Sequence, residues 1–195
     1  IAVTPGDSLS QIFPAVLAAN DLGESDVNMV GLADPAAKQS SVLTGASDAF
    51  LGYYTLQLPA IEQTSGEDMD YLAFSDLGVD TLSMGIVVNK AWAAENEDLL
   101  TRFVAATQEA AQFVVDNPEK AADDFVAGVP SFDRELALTQ IDAAVPLLHT
   151  DATKDSPIGE TAESDWAGTE EILSTYAGLT PADSLDAYYT NDYIK

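Results

Sequence analysis

Cysteine is absent from the 195 residues, which removes disulfides, thiol catalysis, thiolate zinc sites and iron–sulfur ligation together. Cations are scarce: seven Lys and Arg stand against 33 Asp and Glu, a formal charge of −26. Affinity for nucleic acid or anionic lipid comes from clustered cations, so neither is expected as a partner. There is one histidine, His149. No apolar run approaches the roughly 18 residues that span a bilayer, and no basic-then-apolar leader is present. The chain opens at Ile1, directly on an apolar stretch, and the expectation is that residues upstream of it have been removed. Walker loops, dinucleotide fingerprints and zinc-helix motifs are missing as well.

Apolar residues make up 47% of the chain and charged residues 21%, which are globular values, so disorder is not expected despite the charge imbalance. The length suits one domain, or two small lobes sharing a connection. High acidity with few lysines fits a protein kept soluble in concentrated salt, where self-repulsion is screened.

The first part alternates strand and helix. Residues 1–3 read as a strand, Pro5-Gly6 as a turn, and Leu9, Ile12, Phe13, Val16 and Leu17 as one face of a helix closed near Asn20. Residues 27–32 and 49–54 read as further strands, with Asp34 capping a helix between them that ends at Gly45. Residues 56–63 read as helix, 71–74 as a fourth strand and 84–88 as a fifth. This alternation argues for crossover units and a mainly parallel sheet. Beyond Asn89 the texture is helical. Leu99, Leu100, Phe103, Val104 and Val114 form one amphipathic face, stopped by Asn117-Pro118; Leu138, Ile141, Val145 and Leu148 form another, and Trp166, Thr169, Leu173 and Tyr176 a third. Such faces need something to cover them, and the reading is that they clad a sheet not contained in these 195 residues.

Two constellations carry chemistry. Gly6-Asp7-Ser8-Leu9-Ser10 resembles the nucleophile block of GDSL esterases and lipases, which makes a serine esterase using Ser8 the alternative function. A serine nucleophile needs a base and oxyanion donors. That family's late Asp-x-x-His block is not met, since Pro146 stands three positions before His149, and no Gly-x-Asn occurs. Ser8 through Gln11 instead reads as a capping box, with the Ser8 hydroxyl as N-cap.

The same turn, between a parallel strand and a helix N-terminus, lies where open α/β sheets bind ligands. Gly6 permits close approach, and Asp7 leans the reading toward a ligand with N–H donors. Tyr53 and Tyr54, near Gln57, offer rings and hydroxyls at another strand end, with half-buried packing as the equal alternative. Core packing is favoured for Trp166 and a structural helix-end role for His149. Asp68 and Asp70 lack the glycine and distal glutamate of a calcium loop.

The segments IAVTPGDSLSQIFPAVLAAN, DPAAKQSSVLTGASDAFLGYYTLQLPAIEQTSG, DLGVDTLSMGIVVN, TKDSPIGETAESDW and DAYYTNDYI together resemble the NMT1/THI5-like solute-binding proteins of ABC importers, of the nitrate, sulfonate and taurine type. The resemblance implies an α/β, type II periplasmic-binding-protein-like fold, in which two lobes joined by crossover strands close on a ligand. Residues 1–82 would form one ligand-binding lobe, and 83–195 a return crossover and the helical remainder of an incomplete other lobe. It further implies ligand contacts from Gly6, Asp7, Ser8, Tyr53, Tyr54, Gln57, Ser83 and Met84, with no catalytic residues, metal or cofactor. The implied solute is small and nitrogenous, a pyrimidine or thiamin-precursor-like molecule, or else an alkanesulfonate or nitrate. An ABC permease would be the partner, the location periplasmic or otherwise extracytoplasmic, and the complete protein a monomer. The enzymatic branch of the wider family uses a cysteine-rich iron motif, which a cysteine-free chain cannot supply.

Overall fold

A computed structural model describes residues 1–195 as a mixed α/β protein with a small parallel sheet and many helices. The chain divides into two units, Ile1–Thr81 with Gly168–Pro181, and Leu82–Ala167 with Ala182–Lys195.

In the first unit, strand β1 (Ala2–Val3) pairs in parallel with β2 (Val30–Gly31), in the register Ala2 to Val30 and Val3 to Gly31. Its other edge is bridged to Phe50, with Ala2 N–H donating to the Ala49 carbonyl and Leu51 N–H to the Ala2 carbonyl. β1 is therefore central. Helix α1 (Ser8–Ala19) crosses from β1 to β2 and α2 (Pro35–Leu43) from β2 to the Phe50 bridge, while α3 (Gln57–Ser65) follows the third strand position. Phe13, Val16 and Leu17 of α1 are buried with Val3, Leu51 and Val79, and Leu9 and Ile12 pack against them. The helical face legible in the sequence is thus the face that covers the sheet. Burying each large side chain of this set contributes about 1.5–3 kcal/mol.

The sheet is smaller than the apolar runs imply. Residues 71–74 form no strand, because the Phe74 carbonyl is taken by Leu77 and Val79 N–H in a turn, and the Phe74 ring packs 6.2 Å from that of Phe13.

The second unit is helical: α4 (Lys90–Glu95), α5 (Glu97–Asp116), α6 (Pro118–Gly128), α7 (Arg134–Ala144) and a 3-10 turn (Val145–Leu148). Pro118 starts α6 at the point where α5 stops, as the Asn-Pro step requires. Arg134 ties α6 to α7 by bonding Glu119 and Asp123 besides its neighbour Glu135. Leu100 and Val104 are buried with Ala93, but Phe103 on the adjoining face of α5 is 55% exposed. Residues 84–88 also form no strand; Met84 is 89% and Val87 95% exposed. An apolar run reports strand propensity, whereas a strand exists only where another backbone pairs with it, and none does here. Helix α8 (Glu163–Tyr176) starts in this unit and ends in the first. No helix is long and apolar enough to cross a membrane.

Candidate functional site

The parallel strands of the first unit place three turns at one edge of the sheet, the edge at their carboxyl ends. These are residues 4–8 after β1, residues 32–34 after β2, and residues 52–57 after the third strand position. Asp7 N–H donates to the Thr4 carbonyl across Pro5 and Gly6, and Gly6 has φ +82°. This is the type II pattern, with Pro at its second position and Gly where only a left-handed residue fits. The turn aims the chain into α1.

The N-cap of α1 is Asp7 rather than Ser8. Asp7 Oδ1 accepts from Ser10 N–H at 2.7 Å, in extended backbone. The capping box expected of Ser8 is therefore displaced by one residue: Gln11 Nε2 does reach back, but to the Gly6 carbonyl at 2.9 Å. A carboxylate three residues before the bonded amide suits the cap as well as a hydroxyl and also complements the helix dipole. Ser8 is left as the first helical residue with its hydroxyl free of capping.

That hydroxyl meets Tyr53. Ser8 Oγ lies 3.2 Å from Tyr53 Oη, because the turn after β1 and the turn after its bridged neighbour are adjacent. Tyr53 is held at its backbone, where Gln57 Oε1 accepts from its N–H at 2.8 Å. Gly52 makes this possible: a Cβ there would strike Gln57 Oε1 and, at 2.6 Å, the Phe50 ring. Gly6, Asp7, Ser8, Tyr53 and Gln57 thus come together in one arrangement of neutral donors and acceptors plus one capping carboxylate. Ser8 Oγ has no base among its hydrogen-bond partners, so the arrangement supplies none of the proton transfer a serine nucleophile requires.

Tyr54 points elsewhere, stacking on Tyr71 with ring centres 4.7 Å apart and planes 13° apart. Burial raises its hydroxyl pKa above the ordinary value, and the charges of Tyr71 and Asp76 raise it further. Ser83 and Met84 belong to the second unit, in an exposed stretch without regular secondary structure. Trp166 packs within its own unit, stacked on Tyr189 at 5.0 Å and Tyr188 at 6.3 Å, with Nε1 donating to Thr161 Oγ1. His149 follows the 3-10 turn, its Nδ1 buried without a partner.

Sequence reasoning missed two residues of the first unit. Tyr71 lies in an apolar run with strand composition, and the structure makes it the stacking partner of Tyr54. Lys38 is 3% exposed on α2, with Nζ donating to the Leu51 carbonyl at 2.9 Å, just below the Tyr53 turn; a lysine in a polar helix gives no sequence signal of burial. A separate surface depression, lined by Ile1, Asp26, Asn28 and Asp48, lies at the amino ends of the strands, the edge that open parallel sheets do not use for ligands. No group of three or more His, Asp or Glu side chains is placed to hold a metal ion.

The first unit is thus a parallel α/β unit with hydrogen-bonding side chains gathered at the carboxyl edge of its strands, the edge at which open α/β sheets bind ligands. Residues 1–121 match the family model described as NMT1/THI5 like, and the chain belongs to this family. It is similar to the riboflavin-binding protein RibY of Chloroflexus aurantiacus, at 24% identity over 185 residues, covering 92% of this chain and 51% of the relative. The chain spans about half the length of that relative.

Proposed function

We propose that this chain is the solute-binding part of an ABC importer and takes a small nitrogenous solute, a flat heterocycle of the pyrimidine or thiamin-precursor kind. The observation that carries the reading is the meeting of Ser8 and Tyr53 at the carboxyl edge of the parallel strands, 3.2 Å apart and in a member of the NMT1/THI5-like family. Gly6 lets the ligand approach the backbone, and the Ser8 and Tyr53 hydroxyls exchange hydrogen bonds with ring nitrogens or carbonyls. The Gln57 amide, fixed through Tyr53 N–H, offers its Nε2, while Tyr54, stacked on Tyr71, enters through the family resemblance alone. Asp7 holds the helix end in place. Ser83 and Met84 enter through the family resemblance. The relative's riboflavin is itself a flat nitrogen heterocycle, which supports the ligand class.

In the same reading residues 1–82 supply one ligand-binding lobe of a type II binding protein and residues 83–195 belong to the other. The complete protein works as a monomer outside the cytoplasm with an ABC permease. Thermal-shift screening against pyrimidines, riboflavin, taurine and nitrate tests this. A concentration-dependent rise in Tm with a heterocycle is expected; no shift with any small solute contradicts it.

A further inference from the structure

We propose that the solute taken by the unit carrying Ser8, Tyr53 and Gln57 has no net negative charge, so that phosphorylated, sulfonated and nitrate-like compounds are rejected electrostatically. This rests on the solute-binding reading above and narrows it.

The charges of that unit are one-sided. Fourteen of the 33 acidic side chains fall within Ile1–Thr81 and Gly168–Pro181, against one of the seven basic ones, Lys38. Lys38 is 3% exposed and already donates to the Leu51 carbonyl. No basic side chain is therefore presented at this unit's surface to pair with an incoming anion, and Lys and Arg are the groups that ordinarily do so.

The remaining attraction for an anion comes from the helix N-termini at this edge, and that of α1, beside Ser8, has a dipole that amounts to about half a positive charge. Asp7 places a full carboxylate on that end, bonded to Ser10 N–H at 2.7 Å, so the local balance is negative. Asp34 does the same at the neighbouring helix α2, accepting from Ala36 N–H at 2.9 Å. Of the three helix N-termini at this edge, those of α1 and α2 are closed to anions by their aspartate caps; that of α3 has no capping side chain, but its Gln57 N–H already donates to the Tyr53 carbonyl and Pro59 has no N–H to offer. What is left to bind is neutral: the Ser8 and Tyr53 hydroxyls, the Gln57 amide, and the Ser8 and Leu9 N–H groups, which find no acceptor in the fold. A carbonyl or ring nitrogen satisfies such donors without carrying charge into a negative field.

Paired probes test the proposal: riboflavin against its 5′-phosphate, and a hydroxymethylpyrimidine against its phosphate ester, each titrated calorimetrically at low and high salt, with ethanesulfonate and nitrate alongside. The neutral member should bind at least about tenfold tighter at 10 mM ionic strength, and the gap should shrink in 1 M KCl, as the screening length falls from roughly 30 to 3 Å. Asp7→Asn keeps a competent cap while removing the charge, and should narrow the gap at low salt. Equal or tighter binding of a phosphate, sulfonate or nitrate overturns the charge rule while leaving solute binding intact, and so does a gap that ignores both salt and Asp7→Asn. Failure of every probe to bind instead overturns the solute-binding reading, and this inference with it.

Discussion

Tyr53 Oη and Ser8 Oγ stand 3.2 Å apart, joining turns that are 45 residues apart in the chain. The pair is exposed, so Tyr53→Phe and Ser8→Ala should each change stability by no more than about 0.5 kcal/mol while weakening solute binding. Neither the parent nor Ser8→Ala should hydrolyse a short-chain nitrophenyl ester; hydrolysis that disappears in Ser8→Ala would restore the esterase reading.

Capping separates Asp7 from Ser8. Asp7→Ala leaves Ser10 N–H without its partner and should cost about 1 kcal/mol, read as a lower urea midpoint at unchanged slope. A larger loss in Ser8→Ala than in Asp7→Ala would return the cap to Ser8.

Gly52 is held by crowding rather than by its backbone angle, since its absent Cβ leaves the room Gln57 and Phe50 occupy. Gly52→Ala should therefore destabilise by about 1–3 kcal/mol, the usual cost of overpacking. It should also release Gln57 from Tyr53 N–H, visible as faster hydrogen exchange at that amide. Unchanged exchange would contradict the contact.

Much of this arrangement was legible in the sequence, and the failures have physical causes. The periodicity of α1, the Asp34 cap of α2 and the Asn117-Pro118 stop are set within a few residues, and all three appear as expected. The capping residue was misplaced by one because Asp7 and Ser8 are both good caps, and the choice depends on where the Pro5-Gly6 turn releases the chain. Residues 71–74 and 84–88 have strand composition but no strand partner, and pairing is a property of distant backbone that a local run cannot report. Lys38 and the Tyr54–Tyr71 stack are likewise products of tertiary placement.

Tyr54 makes alkaline stability a probe of its surroundings. Its folded pKa is raised above 10.0, first by burial and then by Tyr71 and Asp76. The folded state therefore holds the phenolic proton more tightly than the unfolded chain. The associated stability is present below the unfolded pKa and is lost as pH rises through the folded one. Tyr54→Phe should flatten the fall in stability above about pH 10; an identical alkaline profile would contradict the shift.

Charge should govern stability. At −26 the folded chain repels itself, and few carboxylates have cationic partners. Tm should climb from 10 mM to 1 M KCl, with most of the gain where the screening length drops below about 10 Å. A flat or falling Tm would mean that self-repulsion does not limit the fold.

The central claim is that neutral groups at the carboxyl edge of this small sheet bind a heterocyclic solute. Calorimetric titration of riboflavin and a hydroxymethylpyrimidine into the parent, Tyr53→Ala and Ser8→Ala proteins tests it most directly. Saturable binding of one heterocycle by the parent, weakened about tenfold or more in both variants, is the predicted result; binding that both variants retain in full, or no binding by the parent, would contradict it.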